Sequence, residues 1–366
     1  MAERDTRHRL LRGTSALAVL GLIVGACSSG SGTPAPSATA VSTPAASGGA
    51  SPSATAAADP LADICALGAQ EGKLVHWHNH SEEYAKVIDL FNKTYPDIEV
   101  ELLELSPDEA TQRILTEVSA NRDPSADLLA LGLDVAVPLL DREVLVTDRD
   151  WAALGVPEDV IHESGQLRKQ RTSVGLGFNT DKLSEAELPS TWEELIDPKW
   201  EGRVIVDPRG RPFDALSLSW GEEKTLDYVQ RLKDTVKPLV IEGGTAGLVA
   251  VAGGEADIST SGRSAEMLEQ QDKGAPVAMK YMDVVATIDN YNMVLKDAAH
   301  LNAATCFAAW FSIDGQEKYN EVEFKSNEAV PPGAPAGADI VTIETPEQAD
   351  AVKAIGKEIG KIWTGG

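Results

Sequence analysis

The chain has 366 residues, 43% hydrophobic and 24% charged, and a net charge of −25 from 57 acidic and 32 basic side chains. That length exceeds what a single hydrophobic core usually serves, so two lobes are expected. So acidic a body repels nucleic acid, and no basic run in it would bind one; solubility is the plain reading of the charge.

The first twelve residues carry Arg4, Arg7, Arg9 and Arg12. Residues 15–26 form an apolar run of about a dozen, suited to a signal-peptide core and short of the ~20 that span a bilayer. The run ends in Val24-Gly25-Ala26-Cys27. Small residues before a cysteine resemble a bacterial lipobox, which implies cleavage at 1–26 and lipidation of Cys27; an ordinary signal peptide with an incidental cysteine is the other reading. Residues 28–58 hold only Ala, Ser, Gly, Thr, Pro and Val. Such a segment cannot bury enough apolar surface to offset its ordering entropy. Residues 27–58 are therefore expected to be a lipidated cysteine and a disordered tether reaching roughly 30 Å from the membrane.

From residue 59 on, strand and helix patterns alternate. Residues 60–70 read as a helix and 74–77 as a strand. Tyr84, Val87, Ile88, Phe91 and Tyr95 share one helical face. Residues 98–103 and 126–131 read as strands around a helix at 108–120. Residues 174–178 form an apolar strand that breaks at Asn179-Thr180-Asp181. Ser190 stands three residues before Glu193, the spacing of a capping box, ahead of a short helix with Trp192, Leu195 and Ile196 on its apolar face. After a strand at 203–206, residues 213–236 read as two helices split at Gly221. Gly243-Gly244-Thr245 opens a helix, 256–260 is a strand, and Ser261-Gly262 opens another helix. Residues 284–295 form a returning strand. Thr345-Pro346 caps a last helix whose apolar face carries Ala349, Val352, Ile355, Ile359 and Ile362. No internal repeat is present.

The motifs GLGFNTD and PSTWEELIDPKWEGRV, with EGKLV, FNKTYPDIEV and AAHLNAATCFAAWFSIDGQ, resemble bacterial extracellular solute-binding proteins of ABC importers. The group includes ferric-ion, thiamine, polyamine and phosphonate binders, and the resemblance covers about residues 60 to 366. It implies an α/β protein with the two-lobe type II periplasmic-binding fold. Each lobe would be a mostly parallel sheet flanked by helices, with two crossover segments joining them. The expected division is 59–174 plus 285–366 for the first lobe and 175–284 for the second. Outside the cytoplasm paired cysteines tend to be oxidised. Cys65 and Cys306 lie on helices expected in one lobe, so a disulfide between them is expected; two buried thiols are the other reading.

Ligands in such sheets sit beyond the carboxyl ends of the strands. His78, Asn79 and His80 lie where the first strand ends. By position His80 resembles the histidine ligand of the ferric binders, whereas His76 reads as a core histidine. Those binders also need a tyrosine pair after the GE-x-D strand, because hard Fe³⁺ favours anionic oxygen. Here Ser261-Gly262-Arg263-Ser264-Ala265 stands in that place. Ser261-Gly262 and Gly244-Thr245 at helix starts would instead favour an anion. So would the guanidinium forks of Arg209, Arg211 and Arg263. Ordinary turns and a solvated loop are the plain alternatives for the glycines and for Arg209 and Arg211. Trp77, Phe178 and Tyr291 would wall the cleft or pack the core.

The expectation is a monomeric, membrane-anchored receptor outside the cytoplasm that hands a small solute to a permease and ATPase. The favoured solute is a phosphonate, phosphate ester or carboxylate, with no cofactor. The alternative is Fe³⁺ with a bound anion, using His80 as a metal ligand. A surface interaction lipoprotein and an enzyme are weaker readings; neither G-x-S-x-G nor H-E-x-x-H nor a P-loop occurs.

Overall fold

The computed structural model describes residues 59–78 and 82–365. Cys27, the signal segment, the tether, Asn79 and His80 lie outside the described residues.

The chain opens with α1 (Pro60–Glu71), whose N-cap Asp59 accepts the Ala62 N–H and whose end is turned by Gly72 at φ +75°. β1 (Lys73–His78), α2 (Ala85–Thr94), β2 (Glu99–Glu104), α3 (Pro107–Ser119), β3 (Leu128–Leu131) and α4 (Leu133–Asp141) follow. β1 lies between β2 and β3, parallel to both. A capping box of Ser106 and Glu109 starts α3. Val87, Ile88 and Phe91 form the buried face of α2.

β4 (Leu167–Asn179) then runs out of this half and into the next. After it come β5 (Val204–Val206), α5 (Phe213–Trp220), α6 (Glu222–Val236), β6 (Leu239–Val240), α7 (Gly244–Ala252), β7 (Ile258–Arg263), α8 (Ser264–Asp272) and β8 (Val277–Lys280). β9 (Val284–Val294) returns, followed by α9 (Leu301–Trp310), α10 (Gln316–Glu323), β10 (Asp339–Val341) and α11 (Pro346–Thr364). The strand order is β2-β1-β3-β9-β4-β7-β5-β6. The early part of β4 pairs antiparallel with β9, from Leu167 opposite Asn292 to Ser173 opposite Thr287. Its later part pairs with β7 and β8. One long strand therefore belongs to the sheets of both halves, and β9 is the second crossing. Each half keeps parallel pairs at its outer strands, β1 with β2 and β3, and β5 with β6 and β7. The sheet is mixed because the crossing strands run antiparallel.

Helices cover both faces. In the first half, Phe91, Phe307 and Trp310 pack on one side and Trp77, Ile114 and Leu139 on the other. In the second, Trp192, Phe213 and Tyr228 oppose Leu248, Val251 and Met267. Cys65 on α1 and Cys306 on α9 form a disulfide, with Cα atoms 4.9 Å apart. Gly68 allows that approach, since a Cβ there would stand 2.8 Å from the Ala303 Cα.

Three local expectations change. The segment after Ser190 is a 3-10 turn, Glu193–Ile196, not an α-helix. Ser190 N–H donates to Glu194 instead, because Glu193 is drawn away to Arg231. β7 extends through Arg263, so Ser261 and Gly262 are strand residues and do not open a helix. The last helix, expected with the first lobe, packs on α5 and α6. Ile355, Ile359 and Trp363 join the second half's core. Among the described residues, no helix is long and apolar enough to cross a membrane.

Candidate functional site

The loop after β5 is organised by one buried carboxylate. Asp207 accepts from Arg209 N (3.0 Å), Arg209 Nε (3.0 Å) and Nη2 (2.6 Å), and from Gly243 N (3.3 Å). Burial alone would raise the Asp207 carboxyl, but the hydrogen bonds and charge of Arg209 outweigh it and hold the group below the usual range. Asp207 thus ties the Arg209 guanidinium to the turn that opens α7. Gly243, at φ +100°, leaves that turn free of a side chain; a Cβ there would be 3.9 Å from Arg209 Nη2. A Cβ on Gly244 would be 2.8 Å from the Ser261 carbonyl and 3.8 Å from Arg263 Nε. Arg209, the N-terminus of α7 and Arg263 are therefore neighbours at the carboxyl ends of β5, β6 and β7. Arg263 is half-buried and pairs with Glu266 at 3.0 Å. Backbone N–H groups and the dipole of α7 add positive potential to the two guanidiniums.

Next to this group lies a cavity of about 620 Å³. Asp108 and Asp134, in the first turns of α3 and α4, line it from the first half. Val174, Thr287 and Asp289 contribute from the crossing strands, Arg209 and Arg211 from the loop after β5, and Asp214 from the first turn of α5. Lys353 and Lys357 reach it from α11. α11 lies close because two of its residues lack side chains. A Cβ on Gly356 would be 3.2 Å from the Arg209 carbonyl oxygen, and one on Gly360 2.6 Å from that of Pro208. Asp289 is engaged by Arg171 through a two-pronged pair at 2.7 and 2.8 Å, almost out of solvent. Asp214 accepts the Ala215 N–H at 2.8 Å, and burial pushes its carboxyl up to about 6 against the opposing pull of Arg211. Arg211, Lys353 and Lys357 have no carboxylate partner among the described residues.

Of the residues singled out from sequence, Arg209 and Arg211 line the cavity, and Gly244, Thr245 and Arg263 stand beside it. Ser261 and Gly262 are buried in β7, where Gly262 packs against Gly177. His78 does not line the cavity. β1 pairs with β2 through its last residue and with β3 through Trp77, and His78 is buried in the core. It stacks on Tyr84 at 4.0 Å and accepts from the buried Lys169 amine. That amine lies 4.6 Å over both Tyr84 and Tyr319, and burial pushes it well below its ordinary value. His76 bonds the Leu128 carbonyl and Tyr84, a core histidine held down to about 3 chiefly by burial. Trp77, Phe178 and Tyr291 are core residues. Asp134, Asp214, Lys353 and Lys357 are site residues that sequence reasoning missed. Among the described residues, no group of three His, Cys, Asp or Glu side chains is placed to hold a metal ion.

Residues 77–318 match the family model described as bacterial extracellular solute-binding protein. The chain is similar to iron uptake protein A1 of Synechocystis sp., at 29% identity over 216 residues, which is 54% of this chain and 55% of that protein. The chain spans about half the length of the curated relatives it matches. Among solved structures it resembles iron-bound HitA from Pseudomonas aeruginosa, with a TM-score of 0.64 at 18% identity, covering 79% of this chain and 99% of that one. It also resembles Trichodesmium IdiA (FutA) in complex with iron and citrate, with a TM-score of 0.62 at 18% identity, covering 80% and 98%. With matching fold, crossing strands and two thirds of its length within the family model, the chain belongs to the bacterial extracellular solute-binding protein family.

Proposed function

We propose that the chain is the solute-capturing component of an ABC importer, and that its cargo is ferric iron carried together with an anion. It would work outside the cytoplasm as a monomer, tethered through Cys27, and deliver its solute to a permease and ATPase. The names of the relatives favour iron over the phosphonate or phosphate ester first expected from sequence. The observation that carries the anion is the meeting of Arg209, the α7 N-terminus and Arg263. A bare trivalent cation would be repelled there, whereas an anion accompanying it would be held by charge-assisted hydrogen bonds. Hard iron wants oxygen donors, and that anion would supply part of them. His80, two residues beyond β1 in the sequence, is the proposed protein ligand. Closure about β4 and β9 would follow because the closed form alone touches solute from both halves.

A second reading, an organic anion without iron, is favoured by one observation: residues 261–265 contain no tyrosine. Metal analysis and native mass spectrometry on the full chain, purified without added ligand, separate the two. The ferric reading expects iron and a small anion retained together, the iron lost in His80→Ala and both lost in Arg263→Ala. An anion retained without iron sinks the ferric reading and supports the second.

A further inference from the structure

The geometry points to a second anionic subsite on the C-terminal helix: Lys353, Lys357 and Arg211 together hold another negative group of the solute, so the cargo is a polyvalent organic anion, free or as its ferric chelate. This rests on the anion-carrying reading above and deepens it.

The residues come from two distant segments, the loop after β5 and α11, and meet on one cavity. Neighbouring cations of this acidic chain are neutralised at short range: Arg209 by Asp207, Arg171 by Asp289 and Arg263 by Glu266. Arg211, Lys353 and Lys357 make no ion pair among the described residues, although Arg211 acts on the nearby Asp214 carboxyl. Like charges gathered on one cavity repel one another, and an anion bound among them offsets that cost. Lys353 and Lys357 stand at i and i+4, one turn apart, so both side chains leave the same face of α11. Gly356 and Gly360 seat that face directly on the Pro208–Arg209 backbone, which fixes where the lysines are presented.

Size and lining agree. A water occupies ~30 Å³, and organic ligands fill sites of roughly 300–1,000 Å³. The cavity of about 620 Å³ belongs to the second class. A one-centre oxyanion beside Arg263 would leave most of it empty. Val174, Ile288, Ile343 and Val352 also line it, and their apolar surface suits a carbon skeleton between charged ends. Asp108 and Asp134, which line the cavity from the first half, disfavour carboxylates beside them, so the negative groups belong with the lysines and Arg211.

The test is calorimetric titration of the full chain with citrate, with citrate plus equimolar Fe³⁺, and with inorganic phosphate. In Lys353→Gln/Lys357→Gln, citrate affinity with or without iron is expected to fall roughly 10- to 100-fold, the loss of one or two charge-assisted contacts. Phosphate, confined to the Arg209–Arg263 end, should change less than about threefold on the same reasoning. Both lysines are solvent-facing, so equal melting temperatures of variant and wild type will show that the fold is intact. Unchanged citrate affinity in the double variant, with loss in Arg263→Ala, overturns the second subsite while the anion-carrying reading stands. A wild-type chain that binds phosphate but not citrate overturns the polyanion assignment. One that binds neither, even with iron, overturns both.

Discussion

Asp214 lies beneath the cavity with its carboxyl buried against α11, where a negative charge is costly. Arg211 and Asp207 act on it from the preceding loop, and Lys353 and Lys357 flank the α11 glycine that touches it. With its value raised to about 6, it is mainly charged at pH 7.5 and mainly neutral at pH 5. An anionic solute is repelled by the charged form, so affinity for citrate should rise as pH falls through about 6. The same shift bears on stability. The folded chain holds this proton more tightly than the unfolded chain, so the stabilisation is fully present below the ordinary carboxyl value and lost as pH rises through about 6. Asp214→Asn should therefore flatten the binding profile, tighten citrate at pH 7.5 and stabilise the protein there by roughly 1–3 kcal/mol. Titration at three pH values and melting curves at pH 7.5 check both; a variant with the wild-type pH profile would remove Asp214 from the site's electrostatics. The arginines of the site were legible in the sequence because each follows a strand end beside a glycine. Asp214, Lys353 and Lys357 were not, because each reads as an ordinary polar residue of an amphipathic helix. Only the packing of α11 onto the β5–α5 loop brings them together.

α11 shows how one helix can be recognised correctly and its neighbour missed. Its start at Thr345-Pro346 and its face of Ala349, Val352, Ile355 and Ile359 follow from capping and periodicity, and all are as expected. Periodicity does not say which core receives that face. The deciding feature is the spacing of Gly356 and Gly360, four residues apart, which makes a flat strip for the Pro208–Arg209 backbone. The two glycines are not equivalent. An added methyl meets backbone oxygen at 2.6 Å at Gly360 but at 3.2 Å at Gly356. Both substitutions to alanine gain similar helix propensity, ~1 kcal/mol, so the difference between them reports the loop contact. Gly360→Ala is expected to be the worse by about 1–3 kcal/mol, the scale of overpacking against atoms that cannot turn away. It should also weaken citrate, by lifting the lysines from the cavity. Chemical denaturation of the two variants side by side measures this; equal stabilities would mean that α11 is not pressed on that loop. β4 tells a similar story at the other end of the site. Only residues 174–178 read as strand, because Arg168, Lys169, Gln170 and Arg171 look like loop. Lys169 is buried on aromatic rings and Arg171 on Asp289, so tertiary partners let polar residues continue the strand across the hinge.

At the scale of the whole molecule, the site gathers five cations on an otherwise strongly acidic body, with Asp108, Asp134, Asp214 and Asp289 lining the same cavity. The chain carries −25 in all, while Arg209, Arg211, Arg263, Lys353 and Lys357 gather at one cleft. The two fields differ in range. At 0.01 M salt the Debye length is about 30 Å, so an approaching solute senses the summed charge of the protein. At 0.15 M it is about 8 Å, and only charges near the cavity mouth remain visible. An anionic cargo should therefore meet less long-range repulsion as salt is raised over this interval. Its association rate is expected to increase several-fold before local screening takes over. Its dissociation rate should increase as well, because the contacts that hold it are themselves charge-assisted. A cationic cargo would show the opposite slope in association. Stopped-flow binding of citrate, followed by tryptophan fluorescence between 0.01 and 0.15 M salt, reads the sign directly. A rate that falls with salt would mean that the basic wall governs encounter even at long range, and neutralising Lys353 and Lys357 would then have to abolish the fall. If the fall persisted in that double variant, capture of the anion would not run through the C-terminal helix at all.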